Sequence, residues 1–177
     1  MTTTSERQER DIVLVCNPTA GGRWRELAGI LDSAEAMHVR RIVTDEIDDI
    51  RSSLRRLGKS AELICIYGGD GTILKSLNSI FPTERDQPPT VAFVSGGTMN
   101  VSARWCGWTE KPMINFRRVV HQFLEDRLII REVPLIRVEQ GDFRTLGFTF
   151  GMGPAIRVLD EYERSPKGKA AAFMWGL

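Results

Sequence analysis

Leu63-Ile64-Cys65-Ile66-Tyr67-Gly68-Gly69-Asp70-Gly71-Thr72-Ile73-Leu74 runs from an unbroken apolar stretch, through three glycines and a carboxylate, into a segment with helical periodicity. Ile73, Leu74, Leu77 and Ile80 carry that periodicity. The pattern predicts a buried strand, a glycine-rich turn from 68 to 72, and a helix. In open α/β sheets, ligands bind outside the carboxyl ends of the strands. Glycines there let backbone N–H groups approach phosphate oxygens, and the helix N-terminus that follows favours negative charge. An acid among amides aimed at phosphate repels the ligand unless a cation or a transferable proton intervenes. The turn therefore suggests a nucleotide site with a metal or a proton-transfer step.

The same grammar extends on both sides. Ile12-Val13-Leu14-Val15-Cys16 reads as a buried strand cut off by Asn17-Pro18. Leu27, Ile30, Leu31, Ala34 and Met37 recur as one helical stripe. Val39-Arg40-Arg41-Ile42-Val43 is a short strand ending at Thr44, and Ile47, Ile50, Leu54 and Leu57 form a stripe stopped by Gly58. After a Pro-containing connection, Val91-Ala92-Phe93-Val94 is a further strand, followed by Ser95-Gly96-Gly97-Thr98-Met99-Asn100. Strand and helix alternating over this length imply a parallel sheet with right-handed crossovers. Three strand ends thus carry Gly or small polar residues, at 17–22, 68–72 and 96–100, and Thr44 adds a fourth. One such loop is ordinary turn chemistry. Several at one sheet edge would ring a crevice with amide donors and hydroxyls, which suits a polyphosphate.

Past Trp108 the pattern changes. Met113, Phe116, Val119, Val120, Phe123 and Leu124 make one amphipathic helix. Residues 127–139 read as a long strand, Gln140-Gly141-Asp142 as a turn, and 143–150 as the returning arm of a hairpin. The expected organisation is a polar, disordered 1–10, a nucleotide-binding α/β domain over 11–127, and the start of a β-rich domain over 128–177. The apolar end at Phe173, Met174, Trp175 and Leu177 reads as a truncated chain, and the half-built hairpin invites self-association.

The 177 residues are 42% apolar and 27% charged, ordinary for a globular protein, and the net charge of +1 gives no argument for nucleic acid. Cys16, Cys65 and Cys106 lack metal-ligand spacing and read as reduced thiols, which implies a cytoplasmic protein. No apolar run approaches the ~20 residues of a membrane-spanning helix. His38 and His121 have no triad-like company and read as surface residues. Trp105 and Trp108 read as packing against the connection to the second domain.

Three motifs, in order, give the chain its resemblance to the diacylglycerol kinase-type lipid kinases, the family that includes sphingosine kinases. They are Asn17-Pro18-Thr19-Ala20-Gly21, Gly68-Gly69-Asp70-Gly71-Thr72 and Gly97-Thr98-Met99-Asn100. The resemblance covers about residues 12–164 and implies the three-layer fold shared by NAD kinases and diacylglycerol kinases, followed by a β-sandwich that supplies the lipid pocket. It implies Mg²⁺-assisted transfer of the γ-phosphoryl of ATP to a lipid hydroxyl, with the protein peripheral at the membrane. Asn17, Pro18, Thr19, Ala20, Gly21, Thr44, Gly68, Gly69, Asp70, Gly71, Thr72, Ile73, Leu74, Gly97, Thr98 and Asn100 would then line the nucleotide site. Asp70 would act through Mg²⁺, by way of water, or help deprotonate the acceptor. An NAD kinase-like enzyme is disfavoured by the Asn-Pro-Thr-Ala-Gly loop. A silent nucleotide-binding or regulatory module is the other alternative. Its support lies in 148–155, which lack the family's Asn and Gly-x-Asp-Ala, and in magnesium-site carboxylates that the resemblance places beyond Leu177. Asp160 and Glu161, on an expected helix over 156–164, read as solvated, as does the basic stretch 164–169.

Overall fold

The computed structural model describes residues 11–20, 24–44, 46–57, 60–81, 88–97, 100–108 and 110–149. The expected disordered N-terminus, the helix over 156–164, the basic stretch and the apolar end all lie outside these residues, as do Gly21, Gly58, Thr98 and Met99. The chain divides into two compact units between Val133 and Pro134.

In the first unit, β1 (Ile12–Cys16), β2 (Arg40–Val43), β3 (Leu63–Gly68) and β4 (Thr90–Ser95) form one parallel sheet in the order β2-β1-β3-β4. β1 and β3 are buried along their whole length, which is why they read as continuous apolar runs instead of alternating ones. Alternate residues still divide the sheet's two faces. Leu14, Cys16, Cys65 and Tyr67 pack against Leu27 and Ile30 of α1 (Trp24–Leu31) and Phe116 and Val120 of α5 (Pro112–Leu124). Val13, Val15, Ile64 and Ile66, equally buried, turn to the opposite face, where α3 (Asp70–Ile80) packs on β3 and α2 (Ile47–Leu57) packs on α3. Each of these larger side chains contributes ~1.5–3 kcal/mol by leaving water. The result is the expected α/β architecture of helix, parallel sheet and helix.

The strand order places the site. From β1 the chain goes outward to β2, then returns across β1 to lay down β3 on its other side. The carboxyl ends of β1 and β3 therefore flank the point where the winding reverses, the position at which open α/β sheets hold ligands.

Several elements differ from the sequence reading. The stripe from Leu27 to Met37 is two elements, because α1 stops at Leu31 and a 3-10 turn covers Ala34–His38. Ser33 ends the helix by turning its hydroxyl back to donate to the Ile30 carbonyl (2.7 Å), and Met37 is left 81% exposed. Gly68 belongs to β3, and Asp70, Gly71 and Thr72 form the first turn of α3, so Gly69 alone is loop. A short helix, α4 (Val101–Trp105), follows Asn100.

The second unit shows a hairpin of β5 (Ile136–Gln140) and β6 (Phe143–Gly147), paired from Gln140↔Phe143 to Ile136↔Gly147. Gly141, at φ +58°, makes the tight turn. The long strand expected over 127–139 shortens to Ile136–Gln140, since β6 pairs no further and Pro134 has no N–H to donate to a ladder.

Candidate functional site

Three loops leave the carboxyl edge of the sheet, and hydrogen bonds knit them together. After β1, the backbone N–H of Asn17 donates to the Tyr67 carbonyl of β3 (3.1 Å). The Asn17 carboxamide is the hub of its loop. Its Oδ1 accepts from the N–H (2.9 Å) and the hydroxyl (2.8 Å) of Thr19, and its Nδ2 donates to Oγ1 of Thr72 in α3 (3.0 Å). Pro18 and Ala20 complete the turn, with the Ala20 N–H on the Asn17 carbonyl (3.3 Å). On the other side of β1, the Thr44 N–H donates to the Cys16 carbonyl (3.0 Å). The Thr44 hydroxyl accepts from the Glu46 N–H (3.0 Å) and donates to Asp49 (3.3 Å), opening α2.

The glycines fall into two groups. A Cβ on Gly68 would lie 2.5 Å from Cβ of Thr72, and one on Gly97 would lie 2.3 Å from Cα of Gly69. Both approaches are impossible for a side chain: Gly68 leaves room for the Thr72 side chain, and Gly97 lets the second and third loops touch backbone to backbone at Gly69. Gly71 is different. A Cβ there would meet no atom of the described residues within 4 Å, and its φ is not left-handed, so nothing among those residues calls for glycine. It lies in the first turn of α3, two residues after the N-cap Gly69, which has no side chain to cap the helix. The first-turn N–H groups of a helix have no partner within it and carry partial positive charge. An uncapped, side-chain-free helix start at a switch point is a seat for a phosphate group.

Asp70 lies 31 and 32 residues in sequence from its partners. Its Oδ2 accepts the N–H of Val101 (3.1 Å) and its Oδ1 that of Ser102 (2.7 Å), both in the first turn of α4. The third loop is also closed on itself. Asn100 sits in the left-handed region (φ 50°, ψ 41°), with Oδ1 accepting from the Gly97 N–H (2.8 Å) and Nδ2 donating to the Gly97 carbonyl (2.9 Å).

The structure thus brings together Asn17, Thr19, Gly68, Gly69, Asp70, Thr72, Gly97 and Asn100, with Thr44 at the neighbouring strand end. Ile73 is fully buried and its N–H donates to the Gly69 carbonyl (3.0 Å), so its side chain belongs to the core. Leu74 is partly exposed on α3. Gly21 and Thr98 lie outside the described residues. Val101 and Ser102, which hold Asp70, escaped the sequence reading because a contact across more than thirty residues leaves no local signal.

The cysteines and histidines stay out of this site. Cys16 and Cys65 are buried in the core, and loss of hydration raises both thiols from the ordinary 9.0 to about 12. Partial burial also raises Cys106, although Arg131 opposes the shift. His38 and His121 are exposed, and His121 faces Glu125 one turn on (3.3 Å). Trp108 packs on the core, whereas Trp105 is 58% exposed on α4.

The family profile described as the diacylglycerol kinase catalytic domain matches residues 11–129. The chain belongs to that family. Among solved structures, a diacylglycerol kinase from Bacillus anthracis str. Sterne superposes on this diacylglycerol kinase-family chain with a TM-score of 0.55. Identity is 24%, over 64% of this chain and 42% of that one, and at that level the likeness speaks for the fold alone. A second structure from the same organism, provisionally named a diacylglycerol kinase, gives a TM-score of 0.52 at 26% identity over 66% and 42% of the two chains. The family chain's matches therefore span less than half the length of these structures. No curated protein matches it.

ATP and Mg²⁺ can be tested against these residues separately. The open space at Gly71 and the uncapped start of α3 fit the phosphates of ATP. A resident metal fits less well. Among the described residues no group of three His, Cys, Asp or Glu side chains could hold an ion, and both oxygens of Asp70 already accept backbone N–H groups. No helix among the described residues is long and apolar enough to cross a membrane.

Proposed function

We propose that the α/β unit binds ATP at the carboxyl edge of its sheet, and that the protein transfers the γ-phosphoryl group to a lipid hydroxyl, such as that of diacylglycerol or a sphingoid base. The observation that carries this reading is Gly71, a glycine that packing does not require, facing open space at an uncapped helix start among three interlocked loops. The α3 amides and the loop after β1 hold the phosphates, and the Gly69–Gly97 contact fixes the distance between the loops. Mg²⁺ carried in with the nucleotide would supply screening of the phosphate charge. In the transfer, the acceptor oxygen bonds to the γ-phosphorus, the bond to the β–γ bridging oxygen breaks, and ADP leaves. The hydroxyl proton passes to solvent water as this happens. Phosphoryl transfer of this kind depends mainly on positioning and charge stabilisation. The lipid acceptor places the protein at a membrane surface.

A non-transferring nucleotide-binding module is a second reading. The engagement of both Asp70 oxygens by α4 favours it, since that acid is then not free for chemistry. The full-length protein incubated with γ-labelled ATP, Mg²⁺ and a panel of lipids or NAD separates the readings. Label in an organic-phase lipid is the expected outcome. Label on NAD would move the protein to another kinase class, and ATP binding with no labelled product would select the silent module.

A further inference from the structure

We infer that Asp70 is a positioning residue: it clips α4, and with it Asn100, to the mouth of the nucleotide site and keeps that hold when MgATP binds. The inference rests on the nucleotide site proposed above, whose third wall it explains. α4 has no cap of its own, since Asn100 occupies the N-cap position in a left-handed conformation and makes no side-chain cap bond. Its carboxamide is turned inward, onto the N–H and carbonyl of Gly97. The missing cap comes from Asp70, which gives one oxygen to each of the first two N–H groups of α4 at 3.1 and 2.7 Å. Side-chain caps of this kind hold a helix start by ~1 kcal/mol, more when the acceptor is charged.

The arrangement also accounts for an acid in a phosphate loop. A carboxylate in the first turn of α3 should repel an incoming phosphate from the same amides. Here the charge is directed at the positive start of a second helix, and the space beside Gly71 is left to the ligand. The second and third loops touch one residue before Asp70 and three before Asn100. Gly69 and Gly97 touch there with no room for a Cβ, so the clip acts on a joint that is already close-packed. Releasing Asp70 toward a cation would leave two N–H groups of α4 without their acceptor and would open that joint.

Amide hydrogen exchange on the full chain tests this, read at Val101 and Ser102 with and without MgATP in wild type, Asp70→Asn and Asp70→Ala. In wild type these amides should be protected and stay protected when MgATP is added. Asp70→Ala should speed their exchange on the order of tenfold, the equivalent of a lost cap. Asp70→Asn, with one acceptor oxygen left, should fall between. ATP affinity should weaken in the same order, whereas a purely chemical acid would lower kcat and leave affinity and exchange untouched. Faster exchange of wild-type Val101 and Ser102 on adding MgATP, or unchanged exchange in Asp70→Ala, overturns the inference. If the protein binds no ATP at all, the proposed function fails, and the ligand-free comparison of the variants still decides whether Asp70 is the clip.

Discussion

Glycines in a signature loop do different jobs, and substitution can tell those jobs apart. Gly97 is held against the Gly69 backbone, where a Cβ would come within 2.3 Å, so Gly97→Ala has to push two loops apart. Overpacking of this kind costs ~1–3 kcal/mol, and the clash is with backbone that has no rotamer to give. Gly71 has only open space in front of it and sits in a helical turn, so Gly71→Ala should leave stability unchanged or raise it by up to ~1 kcal/mol. If a phosphate approaches there, the same methyl should weaken ATP binding on the order of tenfold, ~1.4 kcal/mol. Urea unfolding and ATP titration of the two variants should give opposite pairings. The first would be unstable, and the second would be stable with poor binding. A Gly71→Ala protein that binds ATP as tightly as wild type would show that the phosphates sit elsewhere.

At the scale of elements, the sequence was most readable where packing repeats. β1, β3 and β4 are apolar runs, α3 and α5 carry stripes that the sheet buries, and Ile50 and Leu54 of α2 are buried as well, so period and burial agree. It was least readable where a single residue or a tertiary partner decides. Ser33 breaks α1 from the 3-10 turn through one hydroxyl bond to Ile30, and nothing in the Leu27–Met37 stripe announces it. The rim loops were legible from their glycines, but the tie from Asp70 to α4 was not. The end of α5 is another such place. The Arg127 N–H reaches the Gln122 carbonyl (2.8 Å) and the Asp126 N–H the Phe123 carbonyl (3.2 Å), a Schellman closure with Asp126 at φ +58°. Glycine usually fills that position, because a Cβ is strained there. Asp126→Gly should therefore stabilise the protein by ~0.5–1 kcal/mol, read as a higher urea midpoint at unchanged slope. A destabilised variant would mean that the Asp126 side chain contributes more than its backbone strain costs.

At the scale of the whole molecule, the first unit's core sets a pH window. Cys16 and Cys65 lie on adjacent strands, on the face covered by α1 and α5, and burial holds both thiols protonated to about pH 12. In the unfolded chain the same thiols ionise near the ordinary 9.0. Below that pH both states carry the protons, and the thiols add no pH dependence. Above it the unfolded state binds fewer protons than the native one, so stability falls as pH rises, until the native thiols themselves ionise at about 12. Within the window the slope approaches ~1.4 kcal/mol per pH unit for each thiol. Other groups also titrate at alkaline pH, so the measurement is a difference. Urea unfolding of wild type and of Cys16→Ala/Cys65→Ala at pH 7, 8, 9 and 10 should give a constant gap up to pH 8. The wild-type advantage should then shrink through pH 9 and 10. A gap that stays level across the series would mean that unfolding does not release these thiols from the core.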